Sequence, residues 1–190
     1  SAISGRDKIL EERIEARTSE LNKILETTER SKRIISGQEY LLEMVAIGLA
    51  LDSILLSIAS WIERLMPESS VAILLLRSQC DYLEVAVAPS VPASLLKTID
   101  RAKVESNGFS CGAAAFQREA VITTDMLNDS LWSSAKGTIE ACGMQTCWSF
   151  PIISNYGALL GTLDLYFREN RTPKMEELEL LETAVHIAGI

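Results

Sequence analysis

Two β-rich runs, Gln145–Ile153 and Ala158–Phe167, are separated only by Ser154–Gly157, and a link that short between runs that long predicts adjacent antiparallel strands. The sequence before them narrows the fold further. SCGAAAFQREAVITTD (110–125) reads as a small-residue turn, a short helix and the strand 121–124, with Asp125 opening an acidic loop over 126–134. A helix over 134–142 follows, with Gly143 suited to its C-cap. This order describes an α+β chamber with polar chain crossing its mouth.

Upstream, Val71–Arg77 is nearly all apolar, as expected for a central strand covered on both faces. The segment 79–81 should turn the chain, and Tyr82–Ala88 should return as the second strand of a hairpin. Ser90 is placed to cap a short helix over 92–99, and Asn107–Gly108 is a turn signal. A last helix should begin after Pro173, with Met175, Leu178, Leu181, Val185 and Ile187 packing against the helix that enters the domain.

The first forty residues follow a different rule. One seam of heptad-spaced positions is Ile14, Leu21, Thr28, Ile35 and Leu42, and a second is Leu10, Arg17, Ile24, Ser31 and Gln38. No Gly or Pro interrupts residues 6–36, so the two seams make one stripe on a helix. Arg17, Ser31 and Gln38 weaken any coiled coil built on it. A parallel homodimer, an antiparallel pairing and a lone or end-packed helix all fit the pattern, and the first is the leading expectation. Apolar periodicity continues from Tyr40 to Leu65, with Gly48 a local weakness in what reads as one long helix or two nearly collinear ones. The domain division expected is 1–36 for the helical linker and 37–190 for the body.

Charge and composition exclude several roles. Net charge is −8, and residues 1–40 are balanced with eight basic and eight acidic side chains, so the body carries the whole deficit. An acidic body argues against nucleic acid and against an anionic bilayer. No apolar run approaches the roughly 18 residues of a membrane span, so direct membrane insertion is not expected. The start of the chain lacks the apolar core of a signal peptide, which agrees with a cytoplasmic setting, either free or as the cytoplasmic part of a membrane-associated receptor. Cys80, Cys111, Cys142 and Cys147 follow no metal-binding spacing and read as free thiols.

Candidate ligand contacts are the aromatics Tyr82, Phe109, Trp132, Trp148 and Phe150, together with Cys111, Asp125 and Asp164. Asp164 is the sharpest of these. It interrupts the apolar strand GALLGTLDLYF, where a carboxylate requires partners or water, and it should share a face with Leu160, Thr162 and Tyr166. Aromatics in a small domain are more often simple core, and capping its loop is the commoner role for an aspartate placed as Asp125 is. A Cys111 thiolate could be stabilised at a helix N-terminus. The single histidine, His186, falls in the last helix, which leaves no histidine-based metal or haem site and no serine–histidine–acid set in the chamber. Phosphate-binding glycine loops are missing too.

Residues 37–190 resemble a GAF domain, the small-molecule-sensing relative of the PAS fold. The pieces that carry the likeness are LLEMVAIG at 41–48, VAILLL at 71–76, SCGAAAFQREAVITTD, LWSSAKGTIEACGMQTCWSFPIIS at 131–154, GALLGTLDLYF and the C-terminal helix. EERIEARTSELNKI at 11–24 is similar to the linkers that join sensory modules in bacterial sensor histidine kinases and diguanylate cyclases. The resemblance implies a central antiparallel sheet with helices on both faces, preceded by a long coiled-coil helix. It also implies a non-catalytic domain that signals through flanking helices to an output domain lying C-terminal to it, with an unidentified small molecule as its partner. A ligandless dimerisation and spacer module is the alternative. No histidine accompanies Cys142 or Cys147 as in bilin-binding members, and the NKFDE motif of the cyclic-nucleotide type is absent. Glu140 stands where the free methionine sulfoxide reductases carry a catalytic cysteine, which makes that enzyme a remote second alternative.

Overall fold

A computed structural model describes residues 2–77 and 81–190, with burial within the first helix described from Asp7 onward. Gln79 and Cys80, the expected turn and one of the four thiols, lie outside the described residues. The chain divides into two units, Ser1–Tyr40 and Leu41–Ile190.

The first unit is helical throughout its described length and belongs to α1 (Ala2–Ala46), whose last turns fall in the second unit. Leu10, Ile14, Leu21, Ile24 and Ile35 of the heptad seams are all exposed on the single chain. Thr28 and Ser31, also in the seams, donate to the carbonyls of Ile24 at 2.8 Å and Thr27 at 3.0 Å. These hydroxyls are therefore satisfied by their own helix, which lowers the cost of burying them against anything else. Arg17 pairs with Glu20 one turn on, at 2.9 Å.

The second unit opens with the end of α1, which buries Leu41 and Met44 and leaves Leu42 exposed. The helix does not run through Gly48, as the apolar periodicity allowed. Gly48 adopts the left-handed conformation at φ 72°, and its N–H and that of Leu49 turn back to Val45 and Met44. The chain restarts as α2 (Leu51–Leu65), which buries Ile54, Leu55, Ile58, Trp61 and Ile62 on one stripe.

The next elements are β1 (Ser69–Leu76), β2 (Tyr82–Val87), α3 (Ala93–Ile99), β3 (Ala102–Lys103), α4 (Ser110–Gln117) and β4 (Val121–Thr123). A 3-10 segment (Ser130–Ala135), α5 (Lys136–Cys142), β5 (Thr146–Ile153), β6 (Leu159–Phe167) and α6 (Met175–Ala188) complete the unit. Ser90 does not cap α3, whose N-cap is Pro92; its hydroxyl donates instead to Glu63 at 2.5 Å. Gly143 caps α5 at φ 70°, as its position suggests. The apolar stripe of α6 is rotated from the expected one: Leu180, Leu181, Ala184 and Ile187 are buried and Met175 is exposed.

The strands form one antiparallel sheet in the order β3-β2-β1-β6-β5-β4. Alternation along β5 and β6 divides the core in two. Val71, Ile73, Trp148, Phe150, Ile152, Leu163, Leu165 and Phe167 share one face, with α2 and α6 packed against this side of the sheet and against each other. The other face carries Ala72, Leu74, Leu83, Cys147 and Tyr166, roofed by α3, α4, the 3-10 segment and α5. α4 sits so close that a Cβ on Gly112 would come within 2.1 Å of the Lys103 carbonyl oxygen. Only glycine fits that contact.

Candidate functional site

The roofed face holds a group of fully buried polar side chains. Asp164 is at the middle of β6, with Ala72 of β1 and Ser149 of β5 as its cross-strand neighbours. Thr162 Oγ1 donates to Asp164 Oδ2 at 2.8 Å, while Oδ1 has no hydrogen-bond partner. Cys147 Sγ lies 3.5 Å from Ser149 Oγ. The Tyr166 hydroxyl, on the same face two residues beyond Asp164, has no oxygen or nitrogen partner and lies beside the Cys147 thiol. Ser110, Cys111 and Ala113–Ala115 of α4 are buried over this part of the sheet. Ser110 Oγ lies 2.9 Å from Thr123 Oγ1 and accepts the Trp132 indole N–H at 2.7 Å.

Burial governs the electrostatics. Removal from water pushes the Asp164 carboxyl up to about 7, and the hydroxyls of Ser149 and Thr162 only partly offset it. Burial likewise raises Cys111, Cys147 and Tyr166, and the proximity of Asp164 raises each further. The Cys111 thiol is thus held neutral rather than activated, although it occupies the first turn of α4. The described cysteines, Cys111, Cys142 and Cys147, are free thiols. Among the described residues no group of histidine, cysteine and carboxylate side chains could hold a metal ion.

Four of the eight expected contacts meet here. Asp164, Cys111, Trp132 and Phe109 share the roofed face, where Phe109 and Trp132 stack with centroids 4.9 Å apart and Trp132 meets Tyr166 edge-on at 6.3 Å. The other four are elsewhere. Trp148 and Phe150 project from the opposite face of β5, because residues adjacent to Cys147 and Ser149 in a strand must point away from them. Trp148 packs on Phe167 at 4.4 Å, and both lie under the Arg171 guanidinium. Tyr82 stands at the β2–β3 edge with Arg101 over its ring at 4.3 Å. Asp125 caps its own loop by accepting from the Asn128 side chain at 2.7 Å.

The reading of individual residues missed Ser110 and Ser149, and it placed Tyr166 on the face of Asp164 without counting it among the contacts. Alternation outward from Asp164 identifies Tyr166, and the strand pairing expected for 145–153 and 158–167 brings Ser149 alongside once its register is known. Arg171 was missed as well. It pairs with Glu68 at 2.5 Å and with Glu177 of α6, and its backbone N–H donates to Thr146 Oγ1 at 3.1 Å. Glu177 also receives the Lys174 N–H at 2.8 Å, so the first turn of α6 is pinned to the end of the sheet.

An antiparallel sheet with helices entering and leaving on one face and a polar group roofed by short helices on the other defines an α+β sensory-domain fold. The family profile of the GAF domain matches residues 48–190, and the chain belongs to that family. It is 31% identical over 198 residues to the methyl sulfide methyltransferase-associated sensor of Methanosarcina acetivorans; the match takes in all of this chain and 20% of that protein. The chain thus spans about a fifth of the length of this relative. Among solved structures, the GAF domain of a phosphoenolpyruvate-protein phosphotransferase from Coxiella burnetii superposes with a TM-score of 0.65 at 14% identity, covering 83% of this chain and 91% of that one. A free methionine-R-sulfoxide reductase from Neisseria meningitidis, in complex with its substrate, gives 0.65 at 15% identity over 82% and 86%. Both likenesses concern the fold. GAF domains are typically sensory modules without catalysis of their own, and among the described residues no helix is long and apolar enough to cross a membrane.

Proposed function

We propose that this chain is a sensory module whose roofed chamber receives a small molecule and whose flanking helices carry the consequence to an output domain beyond Ile190. One observation carries the reading. Cys147, Ser149, Asp164 and Tyr166 face the chamber, while their immediate neighbours Trp148, Leu163, Leu165 and Phe167 face the side on which α2 and α6 pack. A shift of either strand therefore reaches both faces at once, and differential affinity for two strand positions would suffice to bias the helices. The sensor of Methanosarcina acetivorans supports a signalling context, and a histidine kinase is the output suggested by the resemblance of residues 11–24 to kinase linkers. α1 would pair with a second copy through Leu10, Ile14, Leu21, Ile24, Thr28, Ile35 and Leu42. The setting would be cytoplasmic.

Native mass spectrometry of gently purified protein, followed by denaturing analysis of whatever is released, tests the ligand. A defined mass excess that vanishes on denaturation supports sensing. Cysteines placed at Ile14, Leu21 and Ile35 test the dimer, since a parallel pair crosslinks at each position and a lone helix at none.

A specific feature favours a second reading, a ligandless dimerisation and spacer module. Trp132, Tyr166, Met126 and Ile139 are fully buried and occupy the chamber face themselves. Protein that carries no mass excess and gains no thermal stability from a metabolite panel would decide for the spacer.

A further inference from the structure

We propose that Asp164 makes the docking of α4 on the sheet responsive to protons: neutral, it is compatible with the closed roof, and ionised, it favours lifting α4 to admit water. The inference goes beyond the sensory reading, because it requires neither a bound small molecule nor an output domain.

The geometry provides almost nothing for an anion. An ionised carboxylate has about four acceptor sites to fill. Asp164 receives one donor from Thr162, has the Ser149 hydroxyl alongside, and leaves Oδ1 unpartnered. From β1 it faces the methyl of Ala72. From α4 it faces the Cys111 thiol, from β5 the Cys147 thiol, and from β6 itself the Tyr166 phenol. Burial keeps all three of these neighbours neutral at physiological pH, so none supplies a compensating charge. No ion pair to Asp164 occurs among the described residues. With its own carboxyl poised at about 7, Asp164 is the member of this group that changes charge within the physiological range.

Of the elements around Asp164, α4 is the one that no strand ladder holds, although six of its residues are buried against the sheet. β6 is held in register between β1 and β5, and displacing it would break ladders on both sides. α4 is eight residues long and begins after the turn through Gly108. It ends at Arg118, which adopts the left-handed conformation at φ 60°. Its polar ties on this face include the Ser110–Thr123 and Trp132–Ser110 hydrogen bonds and the approach of Ser110 to the Cys147 thiol. Lifting it exposes Asp164 and Cys111 together and releases Trp132 from Ser110. On protonation a solvent proton passes to the carboxylate and the roof closes over the neutral acid.

Amide exchange on the whole chain, corrected for the intrinsic pH dependence of exchange, tests this. Between pH 5 and pH 7 protection of the α4 amides should fall by up to about tenfold per pH unit, then level off above that window. In Asp164→Asn, which is neutral at every pH, it should stay flat, and in the unmodified chain the α4 amides should exchange through an opening of lower free energy than that of the β1 and β6 amides, which report global unfolding. Parallel pH slopes in the two proteins at α4 would overturn the proposal. If Asp164→Asn does not fold, carbon-13 carboxyl shifts of the unmodified chain and of Thr162→Val serve instead. A midpoint near neutrality that rises when the Thr162 donor is removed supports the switch, and one below pH 5 rejects it.

Discussion

The indole N–H of Trp132 donates to Ser110 Oγ at 2.7 Å, and that hydroxyl sits in turn 2.9 Å from Thr123 Oγ1. One hydroxyl thus joins the 3-10 segment, α4 and β4 at a point with no access to water. Ser110→Ala leaves the buried indole N–H without an acceptor and should cost about 1–3 kcal/mol in chemical denaturation. Thr123→Val removes a partner of Ser110 and keeps the indole bond, so it should cost less. Equal losses would mean the indole bond carries no special weight.

The Asp164 carboxyl has a definite consequence for stability. Its folded-state value, near 7, lies above its ordinary 3.8, so the folded protein holds the proton more tightly than the unfolded chain. The contribution is fully present below about pH 4 and is lost as pH rises through 7, a difference on the order of 4 kcal/mol. Asp164→Asn should remove this component, and the difference in melting temperature between the two proteins should grow in favour of the variant from pH 5 to pH 8.

Arg171 is 14% exposed and holds Glu177, itself 7% exposed, while its guanidinium covers Trp148 and Phe167. Arg171→Ala strands a nearly buried carboxylate and should cost about 3 kcal/mol. Lysine keeps the charge but cannot reach Glu68 and Glu177 in one planar fork, so Arg171→Lys should recover only part of the loss. The denaturation midpoints of the three proteins, in that order, check the argument.

Gly161 of β6 is a packing glycine, since a Cβ there would lie 2.0 Å from the Leu74 carbonyl oxygen. Gly161→Ala must push β6 from β1 and should lose about 1–3 kcal/mol. Gly137, where a Cβ meets nothing within 4 Å, is the matched control, and alanine there should be neutral or slightly stabilising.

The architecture was legible in the sequence wherever a local signal decides the outcome. The hairpin of β5 and β6, the Gly143 cap and the start of α6 after Pro173 all follow from turn chemistry and alternation. The break at Gly48 was harder to see, because apolar periodicity runs straight across it and only the backbone angle shows that the helix stops. The stripe of α6 was misplaced for a related reason. Its leucines fit two overlapping faces, and packing against β5 and α2 selects between them.

The site was half legible. Asp164 stands out because a carboxylate in an apolar strand is costly, and the strand period assigns Tyr166 to its face. The same period places Trp148 and Phe150 on the other side of the sheet, which shows how little an aromatic side chain says about a pocket until its strand parity is fixed. Asp125 and Tyr82 have local roles, a loop cap and a stacked edge; the loop that follows Asp125 favours the cap, whereas nothing beside Tyr82 in the sequence points to Arg101. The distance between α4 and the strands beneath it depends on contacts remote in sequence, so Ser110 and its two hydrogen bonds could not be read from their neighbours.

At the centre of the sheet β1 pairs with β6, and Ser69 lies opposite Phe167. The two middle strands are thus the product of widely separated stretches of chain, with the roofing helices α3, α4 and α5 between them, α2 before and α6 after. During synthesis β1 and β2 can form a hairpin, but that hairpin has no neighbour to complete its inner edge until Phe167 has emerged. Closing so long a loop precedes any reward from the contacts it permits, which makes assembly late and slow relative to the helices. A ribosome that stalls before Leu159 leaves an apolar strand edge uncovered, so the most vulnerable moment for this chain comes before any signal can reach it.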